Sequence, residues 1–159
     1  MNKNNIDKSM EISEKFFQTE FDPDQIPVNN DSERKLLSIH KHTIIFKNEK
    51  GGDLVAWVVI IPTSISTMNK FLNKKITEKE LLEMAVKEKN FDALYLCSIF
   101  VIPEYRRKGY AKKLIIEAIE KLQSNRNAPL YCWVYSEEGE KLISNLSETL
   151  NRPILKLKK

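Results

Sequence analysis

The apolar positions of this chain change their spacing from segment to segment, and each change marks an element. Between Ile6 and Phe21, residues Met10, Phe17 and Phe21, with Ile12 and Phe16 beside them, describe an amphipathic helix that Asp22-Pro23-Asp24 breaks. A second, shorter helix is expected from about Asn30 to His40, with Glu33 placed as a capping-box partner. Thr43–Lys47 and Leu54–Ile61 read as strands joined by Glu49-Lys50-Gly51-Gly52-Asp53, a hairpin signal, and Pro62 is expected to stop the second. Residues 63–92 are polar and charged, and within them Thr77-x-x-Glu80 opens a helix carrying Leu81, Leu82, Ala85 and Val86. Leu94–Val101 is a nearly unbroken apolar run of the length of a buried strand, ended by Pro103. From Ala111 the period becomes helical, with Leu114, Ile115, Ala118, Ile119 and Leu122 on one face. Leu130–Tyr135 is a further strand, Glu137–Leu146 a helix and Asn151–Lys158 a last short strand.

The junction between the central strand and its helix reads Arg106-Arg107-Lys108-Gly109-Tyr110-Ala111. The first turn of a helix leaves backbone N–H groups without partners and carries about half a positive charge, so it attracts anions. Gly109 removes the side chain where an anion must approach the backbone, small Ala111 keeps the next turn open, and three cations surround the spot. A diphosphate suits that arrangement. On spacing alone, a solvated basic turn with a glycine needed only for geometry fits as well.

This segment resembles motif A of the GNAT superfamily of N-acetyltransferases, Arg/Gln-x-x-Gly-x-Gly/Ala, here Arg106-x-x-Gly109-x-Ala111 after Val101-x-Pro103-Glu104-Tyr105. The close match covers Leu94–Leu122, and the remainder agrees in element order. The resemblance implies an α/β fold: a mixed central sheet with antiparallel N-terminal strands, a parallel strand–helix–strand cofactor unit, and flanking helices. Parallel pairing across Leu94–Tyr135 is also what a strand–helix–strand unit gives on physical grounds. The resemblance further implies acetyl-CoA as co-substrate. Arg106, Arg107, Lys108, Gly109, Tyr110 and Ala111 would hold its pyrophosphate, and Ile99, Phe100 and Val101 would face pantetheine where two parallel strands splay. The implied activity is transfer of an acetyl group to a primary amine by direct attack on the thioester. The acceptor would be a small-molecule or peptide amine. Residues 63–92 are longer than the family's usual connection and read as an inserted lid or packing helix, with packing the plainer role.

The catalytic groups of the family are less visible. The central strand offers Tyr95, Cys97 and Ser98 but no carboxylate, and the family's Asn-x-x-Ala-x-x-x-Tyr becomes Ser136-x-x-Gly139-x-x-x-Ile143. Tyr135 stands as a substitute acid from the strand end, with packing beside Trp133 as its alternative. An acyl-CoA-binding sensor or interaction module that has lost transfer is therefore the second reading. His40 and His42, two lone histidines at a helix-to-strand turn, read as surface residues rather than proton carriers.

Composition bounds the rest. At 159 residues, 42% hydrophobic and 30% charged, with 4 glycines and 6 prolines, the chain reads as one globular domain, 1–159. No apolar run reaches the ~20 residues of a membrane span and the N-terminus lacks a signal core, so a cytoplasmic protein is expected. Cys97 and Cys132 stand apart in expected strands, which suits reduced, packed thiols, and no metal is expected. Net charge is +4, split into −5 over residues 1–33 and +9 over the remainder. Asp22, Asp24 and Asp31, with Glu20 and Glu33 at the edges, suggest an acidic wall and a cationic acceptor, unless they only solvate and cap helices. Nucleic acid is the least favoured ligand, because the charge is modest and the basic cluster lacks interleaved surface aromatics. Monomer and homodimer both remain open.

Overall fold

The computed structural model describes residues 3–17, 23–122, 127–134 and 136–158. The hairpin forms where its glycines allow it. Gly52 takes φ +96°, its N–H reaches Glu49 O at 2.8 Å, and Glu49 N–H reaches Asp53 O at 2.8 Å. It joins β1 (Ile44–Asn48) to β2 (Leu54–Thr63) in antiparallel register, Ile45 opposite Val58. β2 then pairs antiparallel with β3 (Ala93–Val101), and β3, β4 (Leu130–Val134) and β5 (Ile154–Lys158) follow in parallel. The result is one mixed five-stranded sheet in the order β1-β2-β3-β4-β5.

Pro62 does not stop β2, contrary to expectation. The strand continues to Thr63, with Pro62 opposite Leu94. The N–H of Ile60 faces β1 and reaches Thr43 O at 3.0 Å, and β1 offers no partner two residues further on. The missing proline N–H therefore costs no ladder bond.

Helices cover both faces. α5 (Tyr110–Leu122) and α6 (Glu137–Leu150) lie on one, burying Leu114, Ile115, Ala118, Ile119, Ile143 and Leu146 against Val58, Leu94, Leu96 and Leu130. α2 (Asn30–Ile39), α3 (Ile65–Leu72) and α4 (Glu78–Lys87) lie on the other, with Leu36, Met68, Phe71, Leu81, Leu82 and Ala85 on Ile61, Tyr95 and Tyr131. Each buried Leu, Ile, Met or Phe among these contributes roughly 1.5–3 kcal/mol. α1 (Lys3–Phe17) packs Ile12 near Trp57 and Phe100, and the Asn5 and Asn48 amides exchange two hydrogen bonds of 2.7 and 2.9 Å. The expected end of this helix at Phe21 lies outside the described residues.

Several boundaries moved for local reasons. Asn29, not a capping box with Glu33, caps α2: its Oδ1 accepts from Ser32 N–H at 2.9 Å. Asp31 sits in the first turn and pairs with Arg34 at 3.6 Å and Lys35 at 3.0 Å. α6 runs to Leu150 rather than Leu146, because Leu150 still packs on the core and Asn151 supplies the left-handed cap at φ +52°. The polar stretch 63–92 contains two helices instead of one. Ser64 caps α3 through Thr67 N–H at 3.1 Å, and α4 carries the expected Thr77/Glu80 box. Together they form most of the second layer, and the Glu88 carboxylate ties them by accepting from Ser64 N–H and Thr67 Oγ1 at 2.7 and 2.8 Å.

Candidate functional site

β3 changes phase halfway along. Its pairing with β2 steps from Val59–Ser98 to Ile60–Leu96, leaving Cys97 as the extra residue of a β-bulge. Leu94 and Leu96 precede the bulge and Ile99 and Val101 follow it, yet all four pack toward α5. Beyond the bulge β3 also loses its other neighbour. Its ladder with β4 holds only Leu94–Leu130, Tyr95–Tyr131 and Leu96–Cys132, although β3 runs on to Val101 and β4 to Val134.

Into this fork opens a cavity of about 510 Å³. Ile99, Val134, Ser136, Gly139, Leu142 and Ile143 line its α6 side, and Met10, Gln25, Ile26, Phe46, Trp57 and Glu78 its opposite side, with Cys97 and Ser98 between them. Ile143 is buried at the position where the motif reading placed a tyrosine in related proteins, so α6 presents no acid there. Ser136 instead caps α6, accepting from Gly139 N–H at 3.0 Å.

The basic junction stands where β3 ends. A 3-10 turn at Pro103–Tyr105 leads to Arg107 at φ +65° and Gly109 at φ +82°, and α5 begins at Tyr110. Left-handed positions spaced this way are found where successive N–H groups converge on an anion. A Cβ built on Gly109 would meet nothing within 4 Å, so the approach to the helix entrance is open. Arg107, Lys108 and Gly109 are exposed and Tyr110 and Ala111 half-buried. Arg106 is committed differently: its Nε donates to Val101 O at 2.9 Å and its guanidinium lies 5.3 Å from the Phe100 ring centre. Phe100 in turn stacks on Trp57 at 4.8 Å, so of the three strand residues expected at the cofactor arm only Ile99 lines the cavity with its side chain. Lys108 Nζ rests 5.6 Å from the Tyr105 ring, and the Tyr105 hydroxyl donates to Glu49 at 2.7 Å, a bond that pushes its pKa up to about 12.

One group was not visible in the sequence. Glu78, in the first turn of α4, is only 5% exposed and faces the cavity across from β3. Its carboxylate accepts from the Tyr95 hydroxyl at 2.5 Å and from Ile26 N–H at 3.1 Å. The carboxylate that β3 lacks is thus delivered to β3 by a different element. In the sequence only the box at Thr77 marks where that turn lies.

Cys97 borders the same space. Burial pushes its thiol well above the ordinary value, and the charge of Glu78 adds to the effect; burial also raises Cys132 to about 12. Neither thiol should react at neutral pH, because the thiolate is the nucleophile. Iodoacetamide at pH 8 should alkylate both at least about tenfold more slowly in the native than in the denatured chain. Mass spectrometry of timed samples checks this, and equal rates at Cys97 would refute it.

Other expectations resolve plainly. His40 and His42 do not line the cavity; His42 N–H donates to His40 Nδ1 at 3.0 Å, and burial lowers the His42 pKa. Asp31 is taken by Arg34 and Lys35, and Asp24 is exposed, so neither supplies an acidic wall to the cavity. Glu20, Asp22 and Tyr135 lie outside the described residues. Among the described residues, no three His, Cys, Asp or Glu side chains are grouped to hold a metal, and no helix is long and apolar enough to cross a membrane.

A family model described as "putative acetyl-transferase" matches residues 24–144. No curated protein and no solved structure matches the chain.

Proposed function

The chain belongs to that acetyltransferase family, and from this premise we propose that it is a GNAT-type enzyme moving an acetyl group from acetyl-CoA to a primary amine. The observation that carries the reading is the fork between β3 and β4 opening onto a cavity, with the Gly109 junction following the end of the same β3 strand. A linear thioester arm entering that fork would pass Ile99 and the backbone of Phe100 and Val101. Its pyrophosphate would meet the N–H groups at Gly109, Tyr110 and Ala111, with Arg107 and Lys108 free to swing onto it. Arg106 acts by fixing the strand end through Val101 O.

The reaction needs a neutral amine, and an alkylamine with pKa near ~10.4 carries a deprotonation cost of roughly 4.6 kcal/mol at pH 7. Glu78, the more buried of the two described acids at the cavity, would take that proton. The nitrogen then attacks the acetyl carbon, the C–N bond forms and the C–S bond breaks. The departing sulfur is protonated, so the products are the acetamide, the free thiol and one released proton. The high thiol pKa of Cys97 argues for this direct transfer over an acyl-cysteine route.

Acetyl-CoA turnover against an amine panel, followed by thiol release, tests the proposal. Thiol release that depends on the amine is expected. Tight CoA binding without release on any amine would favour the non-catalytic acyl-CoA module, which the buried Ile143 at the acid's position already recommends as the second reading. Proton delivery to sulfur is assigned to water or Tyr135. Tyr135→Phe should accordingly lower kcat by less than the ~10²–10⁴-fold contributed by a positioned acid. A larger fall at unchanged CoA affinity would make Tyr135 that acid.

A further inference from the structure

Gln25 Oε1 and the Glu78 carboxylate are two of the acceptors bordering the cavity, and among the described residues no donor reaches the first. Gln25 is 9% exposed, its Oε1 faces no donor within the described residues, and it borders the cavity. The next residue, Ile26, gives its N–H to Glu78, and Lys79 N–H holds Asp24 O at 3.1 Å, so this loop and the start of α4 are fastened together. The Gln25 oxygen and the Glu78 carboxylate are therefore presented from one fixed unit. A buried acceptor left without a donor is destabilising, and a ligand donor would recover that loss.

Among the described residues lining the cavity there is no lysine, arginine or histidine, and most of the lining is apolar, Met10, Ile26, Phe46 and Trp57 included. Glu33, the other acid at the cavity, is half exposed. Resting on the reading of the site as an acetyl-transfer site, we propose that it selects a primary amine on an uncharged apolar body, with the nitrogen seated between Glu78 and Gln25 Oε1. An amine has two or three N–H donors to offer these acceptors. A carboxylate next to the nitrogen, as in an α-amino acid, would stand beside Glu78 with no cation to offset it. A polyamine would bring further ammonium groups against apolar walls, where an unpaired charge is costly. This narrows the cationic acceptor that the acidic residues of 20–33 suggest to one with a single ammonium group.

Titration calorimetry of 2-phenylethylamine, phenylalanine and spermidine into the protein holding CoA decides the matter. The first should bind at least about tenfold more tightly than either of the others. Glu78→Gln keeps the shape and can still accept from Ile26 N–H, and it should weaken 2-phenylethylamine at least about tenfold with CoA affinity unchanged. Gln25→Leu should weaken it several-fold, and carries the test alone if Glu78→Gln fails to fold by circular dichroism. Preference for phenylalanine or spermidine, or wild-type amine affinity in the folded variants, overturns the proposal. If CoA itself does not bind, the acetyl-transfer reading fails on that result, and the same titrations into the free protein still judge the amine seat.

Discussion

Gly109→Glu is expected to lower CoA affinity more than 100-fold and to cost about 1–2 kcal/mol of stability. The binding loss follows from placing a like charge at the helix entrance where the pyrophosphate would rest, in the open space above Gly109. The stability loss has a separate origin. Gly109 sits at φ +82°, and a side chain in left-handed backbone costs roughly 1–2 kcal/mol even where nothing crowds it. Gly109→Ala separates the two effects: it meets the same backbone strain without charge, so stability should fall similarly while CoA affinity falls far less. Calorimetry with CoA and thermal unfolding of both variants provide the readings. Normal CoA binding by Gly109→Glu would remove the pyrophosphate from this junction.

Phe71→Ala should be among the most damaging single changes to the fold, at about 3–5 kcal/mol. Phe71, 1% exposed on α3, meets Tyr95 at 5.1 Å, Tyr131 at 6.1 Å and Trp133 at 6.3 Å between ring centres. It therefore joins the 63–92 segment to the middle of β3 and β4. Tyr95 also holds Glu78, so the void would open directly under the cavity wall. Urea unfolding should show a lower midpoint at unchanged slope. A cost below about 1 kcal/mol would mean that α3 and α4 are a detachable cover, and that the core closes without them.

What could be read in advance was whatever leaves a periodic trace. The β3–α5 unit announced itself by the switch from a continuous apolar run to a 3.6-residue stripe between Pro103 and Ala111, and α4 by Thr77 and Glu80. α3 was missed although Ile65, Met68, Phe71 and Leu72 follow a helical spacing, because the stripe lasts only eight residues within a polar stretch. Pro62 misled because proline breaks a strand only on a side that has a partner. Glu78 was out of reach for a deeper reason. Its burial depends on Tyr95 and Ile26, 17 and 52 residues away, and nothing local distinguishes it from any other first-turn glutamate. The bulge at Cys97 was hidden too, since an all-apolar run has no alternation whose phase could slip.

That slip has a consequence for how the chain can change over generations. Upstream of Cys97 the even-numbered positions of β3 point at α5, and downstream the odd-numbered ones do. Substitutions are thus filtered by two opposite rules within nine residues. Removing Cys97 would merge them into one without turning any side chain over, because Ile60–Leu96 and Val59–Ser98 are already successive pairs and Ile99 and Val101 would keep facing α5. Cys97 is therefore the one residue of β3 whose loss leaves both faces of the strand as they are, while loss of any paired residue downstream would shift the pairing of those beyond it. What the extra residue adds is a bend at the point where β3 parts from β4.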